Sequence, residues 1–176
     1  MNRLIILLCS FFILTLNSCG SVNYLPEKEV DQLLQNGEYT FMAKRVNMTN
    51  YDVINVVNSI PYSTSSRMMD LDYGYDIVIA PGKVQVTLPY FGRVYNPSYD
   101  PAKTSFRFIS TKFDISESAG RKNSRIITIV THDQEFQRTI YLEVFKNGAA
   151  YAAISGTDRQ PITYNGYLMK NEVKRD

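Results

Sequence analysis

The sequence contains little of the side-chain chemistry on which most enzymes and metal sites depend. Its 176 residues include two cysteines, one histidine and no tryptophan, and the formal net charge is only +2. A charge this close to zero gives no electrostatic basis for binding nucleic acid. Hydrophobic residues make up 44% of the chain. A single domain of this length can therefore bury a core without disulfides.

Both cysteines lie near the N-terminus, in a segment with the features of an export signal. Arg3 precedes the apolar run 4–16. That run is shorter than the ~20 residues of a membrane-spanning helix but suits a signal peptide. Cys19 follows the run directly, and Leu16-Asn17-Ser18-Cys19 is similar to a bacterial lipobox. The alternative is an ordinary signal peptide with a cysteine there by chance.

We therefore predict a signal peptide over residues 1–18 and a lipidated Cys19 followed by a tether that ends at residue 25. Acyl chains such as palmitate on Cys19 would hold the protein at a membrane. The mature chain then has no free thiol, which excludes disulfides, a catalytic cysteine and a zinc site built on cysteine. An acidic run just after the lipidated cysteine is typical of lipoproteins that reach the cell surface, and residues 20–23 carry none. We therefore expect a place in the cell envelope, at the outer membrane and facing the periplasm.

The mature chain is predicted to contain one short helix. Val30, Leu33 and Leu34 form an apolar stripe within residues 26–36, Pro26 suits the first helical position, and Gly37 suits a helix end. The rest of the chain alternates between apolar and polar residues, which is typical of strands. Such runs can be traced over residues 38–44, 72–79, 83–90, 106–108, 136–144, 149–155 and 162–169. An eighth strand is predicted over 125–131, which is rich in β-branched residues but lacks clean alternation, and we interpret it as a strand covered on both faces.

Two turn signals support this assignment. Pro81-Gly82 has the signature of a type II turn, and Asn147-Gly148 is a strong hairpin signal. No long helices separate the strands, so a parallel α/β sheet is not expected. We predict an all-β domain over residues 26–171, followed by a polar tail over 172–176. It is either an antiparallel barrel or a two-layer sandwich of about eight strands with one short N-terminal helix.

Two stretches carry a family resemblance. Leu88-Pro89-Tyr90-Phe91-Gly92-Arg93 is the first, and Arg159-Gln160-Pro161-Ile162-Thr163-Tyr164-Asn165-Gly166 is the second. With the lipobox, the helix closed by glycine and the Gly148 hairpin, they resemble the DUF4251 family over roughly residues 28–170. Members of that family are small lipoproteins or secreted proteins of Bacteroidetes. The resemblance implies a location and a fold, but no activity.

Catalytic patterns are weak. His132 is the only histidine, it lies in a turn between two predicted strands, and no Gly-x-Ser-x-Gly elbow is present. Asp70, Asp72 and Asp76 would share one face of a regular strand, although a solvated strand face shows the same pattern. We therefore expect no catalytic residues, no metal and no cofactor.

The clearest candidates for binding are aromatic residues that lie near two arginines. The first group surrounds the long loop 92–105 and contains Tyr90, Phe91, Arg93, Tyr95 and Tyr99. The second group is Arg159 and Tyr164. If the two groups meet, they would line one mouth of a barrel and bind an anionic ligand or a partner. The alternative is that the arginines pack strand ends, stacked on tyrosine or paired with Asp100 and Asp158.

The expected function is a non-catalytic interaction or structural module of the envelope. It would be anchored in the membrane through Cys19 and would bind an unknown envelope protein through an edge strand or the aromatic loop. The alternative is a carrier of a small hydrophobic or anionic ligand, with an apolar barrel interior. A hydrolase ranks last.

Overall fold

The computed structural model of the protein describes residues 22–48, 68–95 and 105–172. The predicted leader, Cys19, Tyr99, Asp100 and the end of the polar tail lie outside these ranges. The predicted class is confirmed, because the described residues form an antiparallel all-β domain with one α-helix.

The helix α1 comprises Glu27–Asn36. The strands are β1 (Tyr39–Asn47), β2 (Met68–Asp70), β3 (Asp76–Ala80), β4 (Lys83–Pro89), β5 (Ser105–Ser110), β6 (Phe113–Ala119), β7 (Arg125–Thr131), β8 (Arg138–Val144), β9 (Ala149–Gly156) and β10 (Arg159–Met169).

All ten strands belong to one sheet, which curls into a half-barrel. Its order is β5-β4-β3-β1-β10-β9-β8-β7-β6, and the short β2 also pairs with β1. The first and last strands of this order, β5 and β6, are consecutive in the chain and are joined by Thr111 and Lys112. Asp133 holds this junction, because its carboxylate accepts hydrogen bonds from Ser110 Oγ at 2.5 Å and from the Thr111 amide at 2.7 Å. Of the two predicted architectures, the molecule therefore follows the barrel, in an open form.

The concave side of the sheet is filled by large apolar side chains. Its largest fully buried members are Tyr164, Phe41, Phe106, Ile77, Ile79, Leu88, Ile129, Ile140, Leu142, Ile154, Ile162 and Leu168. The predicted stripe of α1 joins this core through Val30, Leu33 and Leu34. In the described part of the chain, these side chains thus occupy the interior of the curl.

The helix lies across one end of the curled sheet. Its three acidic residues pair with bases at three strand ends: Glu27 with Lys146 at 2.5 Å, Glu29 with Lys170 at 2.7 Å and Asp31 with Arg125 at 3.5 Å. We call this the helix end, and it also carries the turns Pro81-Gly82 and Asn147-Gly148. We call the opposite end, where β4 finishes and β8 and β10 begin, the clamp end.

Several local predictions are confirmed and others need correction. Gly37 ends α1 with φ of 66°, and Gly82 connects β3 to β4 with φ of 69°. However, α1 begins at Glu27, and Pro26 is extended just before it. The strand expected from residue 72 begins only at Asp76, because a turn with φ of 106° at Gly74 precedes it.

Candidate functional site

The two stretches that carry the family resemblance meet at the clamp end. The Tyr164 hydroxyl donates to the Pro89 carbonyl at 2.6 Å, and the Gln160 amide donates to the Arg93 carbonyl at 2.9 Å. The Tyr95 amide donates to the Asp158 carbonyl at 2.8 Å. Residues 89–95, which form no long strand of their own, are thereby held along the start of β10.

A buried ionic cluster lies beneath this segment. Arg138, Asp158 and Arg159 are at least nine-tenths buried, and we call them the arginine clamp. The carboxylate of Asp158 accepts two hydrogen bonds from Arg138, the longer of them at 3.1 Å from Nη2. Arg159 reaches the same carboxylate from Nε at 2.9 Å. One acidic side chain therefore holds two guanidinium groups from two different strands.

Aromatic rings pack against the two guanidinium groups of the clamp. The ring of Phe106 lies 5.7 Å from the guanidinium carbon of Arg138 and 4.9 Å from that of Arg159. Tyr90 stacks on Arg159 at 5.0 Å and meets Phe106 edge to face at 5.3 Å. Cation–π contacts of this kind are worth about 2 kcal/mol or more when they are desolvated. The clamp thus ties β5, β8, β10 and the segment after β4 into one unit.

The titration behaviour of the cluster fits a structural role. Burial raises the pKa of Asp158, but hydrogen bonds from Arg138 and Arg159 outweigh this effect, and the net pKa is lowered. Burial raises the pKa of Tyr90 to about 12, and burial also raises that of Tyr164. Asp158 is therefore charged at neutral pH, while the two phenols keep their protons and donate them to carbonyl groups.

The predicted site residues separate into buried and exposed members. Tyr164 is fully buried, Tyr90 and Phe91 pack against the core, and Arg159 pairs with Asp158. The Arg159–Asp158 pair matches the packing alternative. Arg93 is exposed in the same segment, and Tyr95 is 57% exposed. Both lie at the clamp end, together with the first residues of β8 and β10.

Sequence reasoning missed Arg138. No short motif marks it, because its partner Asp158 is 20 residues away in sequence and is reached only through the pairing of β8 with β9. Its position at the start of a predicted strand, on the face that alternates inward, is the signal that was available. An arginine at an inward position needs a buried carboxylate.

Groups that suggested catalysis lie elsewhere. His132 Nε2 is 2.8 Å from Asp114 Oδ2 on an exposed surface. Asp70 ends β2 and pairs with Arg45 at 2.5 Å, whereas Asp76 begins β3, so the prediction that these carboxylates share one strand face is wrong. Within residues 22–48, 68–95 and 105–172, no group of three or more potential metal ligands occurs.

The described part of the chain contains no helix that is both long and apolar enough to span a bilayer. Open grooves do occur on its surface. One of about 640 Å³ lies between Tyr24, Arg45, Leu71 and Tyr151. Another of about 450 Å³ lies near Met42, Tyr73 and Gln85. Neither groove reaches the arginine clamp.

Comparison with known proteins yields a family and a fold. A family model described as a domain of unknown function, DUF4251, matches residues 23–168, which is most of the chain. A crystal structure of a DUF4251 family protein from Bacteroides eggerthii is similar, with a TM-score of 0.53 and 12% sequence identity. The alignment covers 82% of this chain and 87% of that chain. At this identity the likeness concerns the fold alone. None of the curated proteins compared with the chain matches it.

Proposed function

Because the chain belongs to the DUF4251 family, a family described as a domain of unknown function, we propose its role from the molecule itself. The protein is a non-catalytic interaction module of the cell envelope, anchored by lipid at Cys19 in the outer membrane on the periplasmic side. It binds another envelope protein through the exposed part of the clamp end. This rests on the signal-like leader, on the all-β body and on the arrangement of residues 89–95.

One observation carries the proposal. Residues 90–95 follow β4 and form no long strand, yet they are fixed to β10 by hydrogen bonds and lie over a buried ionic cluster. On this rigid support Arg93 and Tyr95 stay in solvent. Arginine and tyrosine are enriched among the residues that dominate binding energy at interfaces. A backbone that is already ordered loses little entropy when a partner binds.

The two side chains suggest the chemistry of the partner. The guanidinium of Arg93 suits two-point contact with a carboxylate, and the ring of Tyr95 offers apolar area with a polar tip. The partner surface should therefore present an acidic group beside an apolar patch. Arg159 is not available for this purpose, because its guanidinium is buried against Asp158 and Phe106.

The carrier alternative finds less support. Such a protein needs an apolar cavity inside the barrel, typically of ~300 Å³ or more. Here the concave side of the sheet is occupied by Phe41, Phe106, Tyr164 and the aliphatic residues packed around them. A ligand there would have to displace buried side chains of this core.

The test is a double substitution, Arg93→Ala with Tyr95→Ala, in the full-length lipidated chain. The protein is crosslinked in its native envelope and purified, and the copurifying proteins are quantified by mass spectrometry. We expect a partner recovered with the unmodified chain to be lost, while the melting temperature stays the same, since both side chains are exposed.

A matched control carries Arg107→Ala with Tyr141→Ala, which removes the same side-chain types from exposed positions on β5 and β8. This control should keep the partner. If the clamp-end variant retains every copurifying protein, or if the control loses them equally, the clamp end is not the binding surface.

A further inference from the structure

We propose that the tether is part of the fold and holds the helix end of the domain against the membrane, so that the clamp end faces away from it. This inference rests on the lipid anchor of the proposed function. It adds an orientation: the surface next to the bilayer is the helix end, and the partner of Arg93 and Tyr95 lies on the far side.

The contacts of residues 22–25 carry the inference. The amides of Tyr24 and Leu25 both donate to the Asn147 carbonyl, at 2.9 and 3.2 Å. The Asn147 side-chain amide donates in return to the Val22 carbonyl at 3.0 Å. A segment expected to be a free tether is therefore bound on both sides of one residue in the β8–β9 turn.

Side-chain packing fixes the same segment. The ring of Tyr24 stacks on Tyr167 of β10, with centroids 4.7 Å apart and planes only 2° from parallel. Leu25 packs against the core. Gly148 leaves room for this arrangement, because a β-carbon there would lie 2.9 Å from the backbone nitrogen of Leu25. The turn and the tether are thus fitted to each other.

The length of chain before the docked segment limits where the anchor lies. Only three residue steps separate Val22 from Cys19. A fully extended chain spans at most about 3.6 Å per residue, so the α-carbon of Cys19 lies within roughly 11 Å of that of Val22, and its sulfur only a side-chain length further. Val22 itself is held at Asn147, on the helix end. The bilayer surface must therefore approach the body at this end.

Geometry then places the clamp end far from the lipid. The central strand β10 runs between the two ends over 11 residues. At a rise of ~3.3 Å per residue this is roughly 35 Å. At the helix end Glu27, Glu29 and Asp31 are each paired with a base, so three of the positive charges there are neutralised. In this proposal the short docked tether sets the orientation.

The absence of other thiols in the mature chain permits a clean test. Single cysteines are introduced by Lys28→Cys on the exposed face of α1 and by Tyr95→Cys at the clamp end, in the full lipidated protein. Each is labelled with a fluorophore and reconstituted into phosphatidylethanolamine–phosphatidylglycerol vesicles containing a headgroup-attached quencher. Flotation with the vesicles and the intact mass confirm lipidation separately. We expect severalfold stronger quenching at position 28 than at position 95.

A variant with ten Gly and Ser residues inserted between Ser21 and Val22 is the control. The longer linker has a root-mean-square reach of about 17 Å and leaves the body free to turn, so the two positions should be quenched more equally. Equal quenching in the unmodified tether, or a difference that survives the insertion, overturns the orientation while leaving lipidation intact.

The docking itself has a readout that needs no lipid. In a soluble form that starts at Gly20, the amides of Tyr24 and Leu25 should exchange with deuterium much more slowly than in an unstructured chain. Exchange as fast as in an unstructured peptide shows that the tether is free and overturns the inference, whatever happens at Cys19.

Discussion

Asp158 is the residue on which the clamp end depends most, because two buried guanidiniums share its carboxylate. Asp158→Asn removes the negative charge that the buried guanidiniums of Arg138 and Arg159 share. We expect a loss of about 3–5 kcal/mol in the free energy of unfolding at neutral pH, measured by urea denaturation. Asp114→Asn is the matched control: its partner His132 is exposed, so the loss should stay below about 1 kcal/mol.

The loss of stability caused by Asp158→Asn should depend on pH in a defined direction. The pKa of Asp158 in the folded protein is lowered from its ordinary value of 3.8, so its charge stabilises the fold fully above that value. As the pH falls below about 4, the carboxyl group binds a proton more readily in the unfolded protein than in the folded one, so this stabilisation is progressively lost. The difference between the unmodified protein and Asp158→Asn should therefore shrink in acid. A difference that is constant from pH 7 to pH 3 contradicts the role given to Asp158.

At this scale the sequence revealed candidates but not their roles. It marked Arg159 and Tyr90 through their motifs and left open whether Arg159 binds a ligand or packs a strand end. The role of Arg159 is set by its neighbours Phe106 and Arg138, which lie on β5 and β8. Contacts between residues so far apart in sequence follow from the register of the sheet and have no local signature.

Two turn glycines allow a comparison at the scale of elements. Gly82 and Gly148 both have positive φ, 69° and 77°, but only Gly148 has the tether packed against it. Gly82→Ala should cost about 1 kcal/mol from backbone strain alone. Gly148→Ala should cost at least ~1 kcal/mol more, because its β-carbon overlaps Leu25. Urea denaturation of both variants measures the difference.

Deuterium exchange distinguishes backbone strain at the turn from displacement of the tether. Exchange of the Tyr24 amide should rise in Gly148→Ala and stay unchanged in Gly82→Ala. If the two variants lose the same free energy, the fit between the turn and the tether contributes nothing to stability.

Elements were predicted well where one face is buried and poorly at the edge of the sheet. The hairpin at Pro81-Gly82 formed as expected, with positive φ at Gly82. A hairpin also formed at Asn147-Gly148, but its connection comprises the four residues 145–148, and only Gly148 among them has positive φ. The edge strand β6 was missed, because its sequence FDISESA is mostly exposed and lacks an apolar run. The interpretation that β7 is covered on both faces was wrong. Its buried positions alternate through Ile127, Ile129 and Thr131, while the residues between them are partly exposed.

At the scale of the whole molecule, the proposed lipid anchor on Cys19 should decide where the protein resides. Cys19→Ala removes the proposed lipid acceptor, and two or more acyl chains are what make such anchoring stable. We expect the variant to move from the membrane to the soluble fraction and to lose the mass of the lipid. The measurement is fractionation with intact-mass analysis, and Ser18→Ala, which leaves the thiol, is the control. Partition of Cys19→Ala into detergent with unchanged mass contradicts the anchor.

The position of β10 in the sheet has a consequence for the order of folding. This last strand lies between β1 and β9, in the middle of the sheet, and supplies Ile162, Tyr164 and Leu168 to the core. Before it is synthesised, β1 has partners on one side only and β9 pairs with β8 alone. Closing the long loop between β1 and β10 costs entropy that only their pairing repays. Among the described strands β10 comes last in the chain, so the two halves of the sheet gain their shared central strand only after every other described strand has been synthesised.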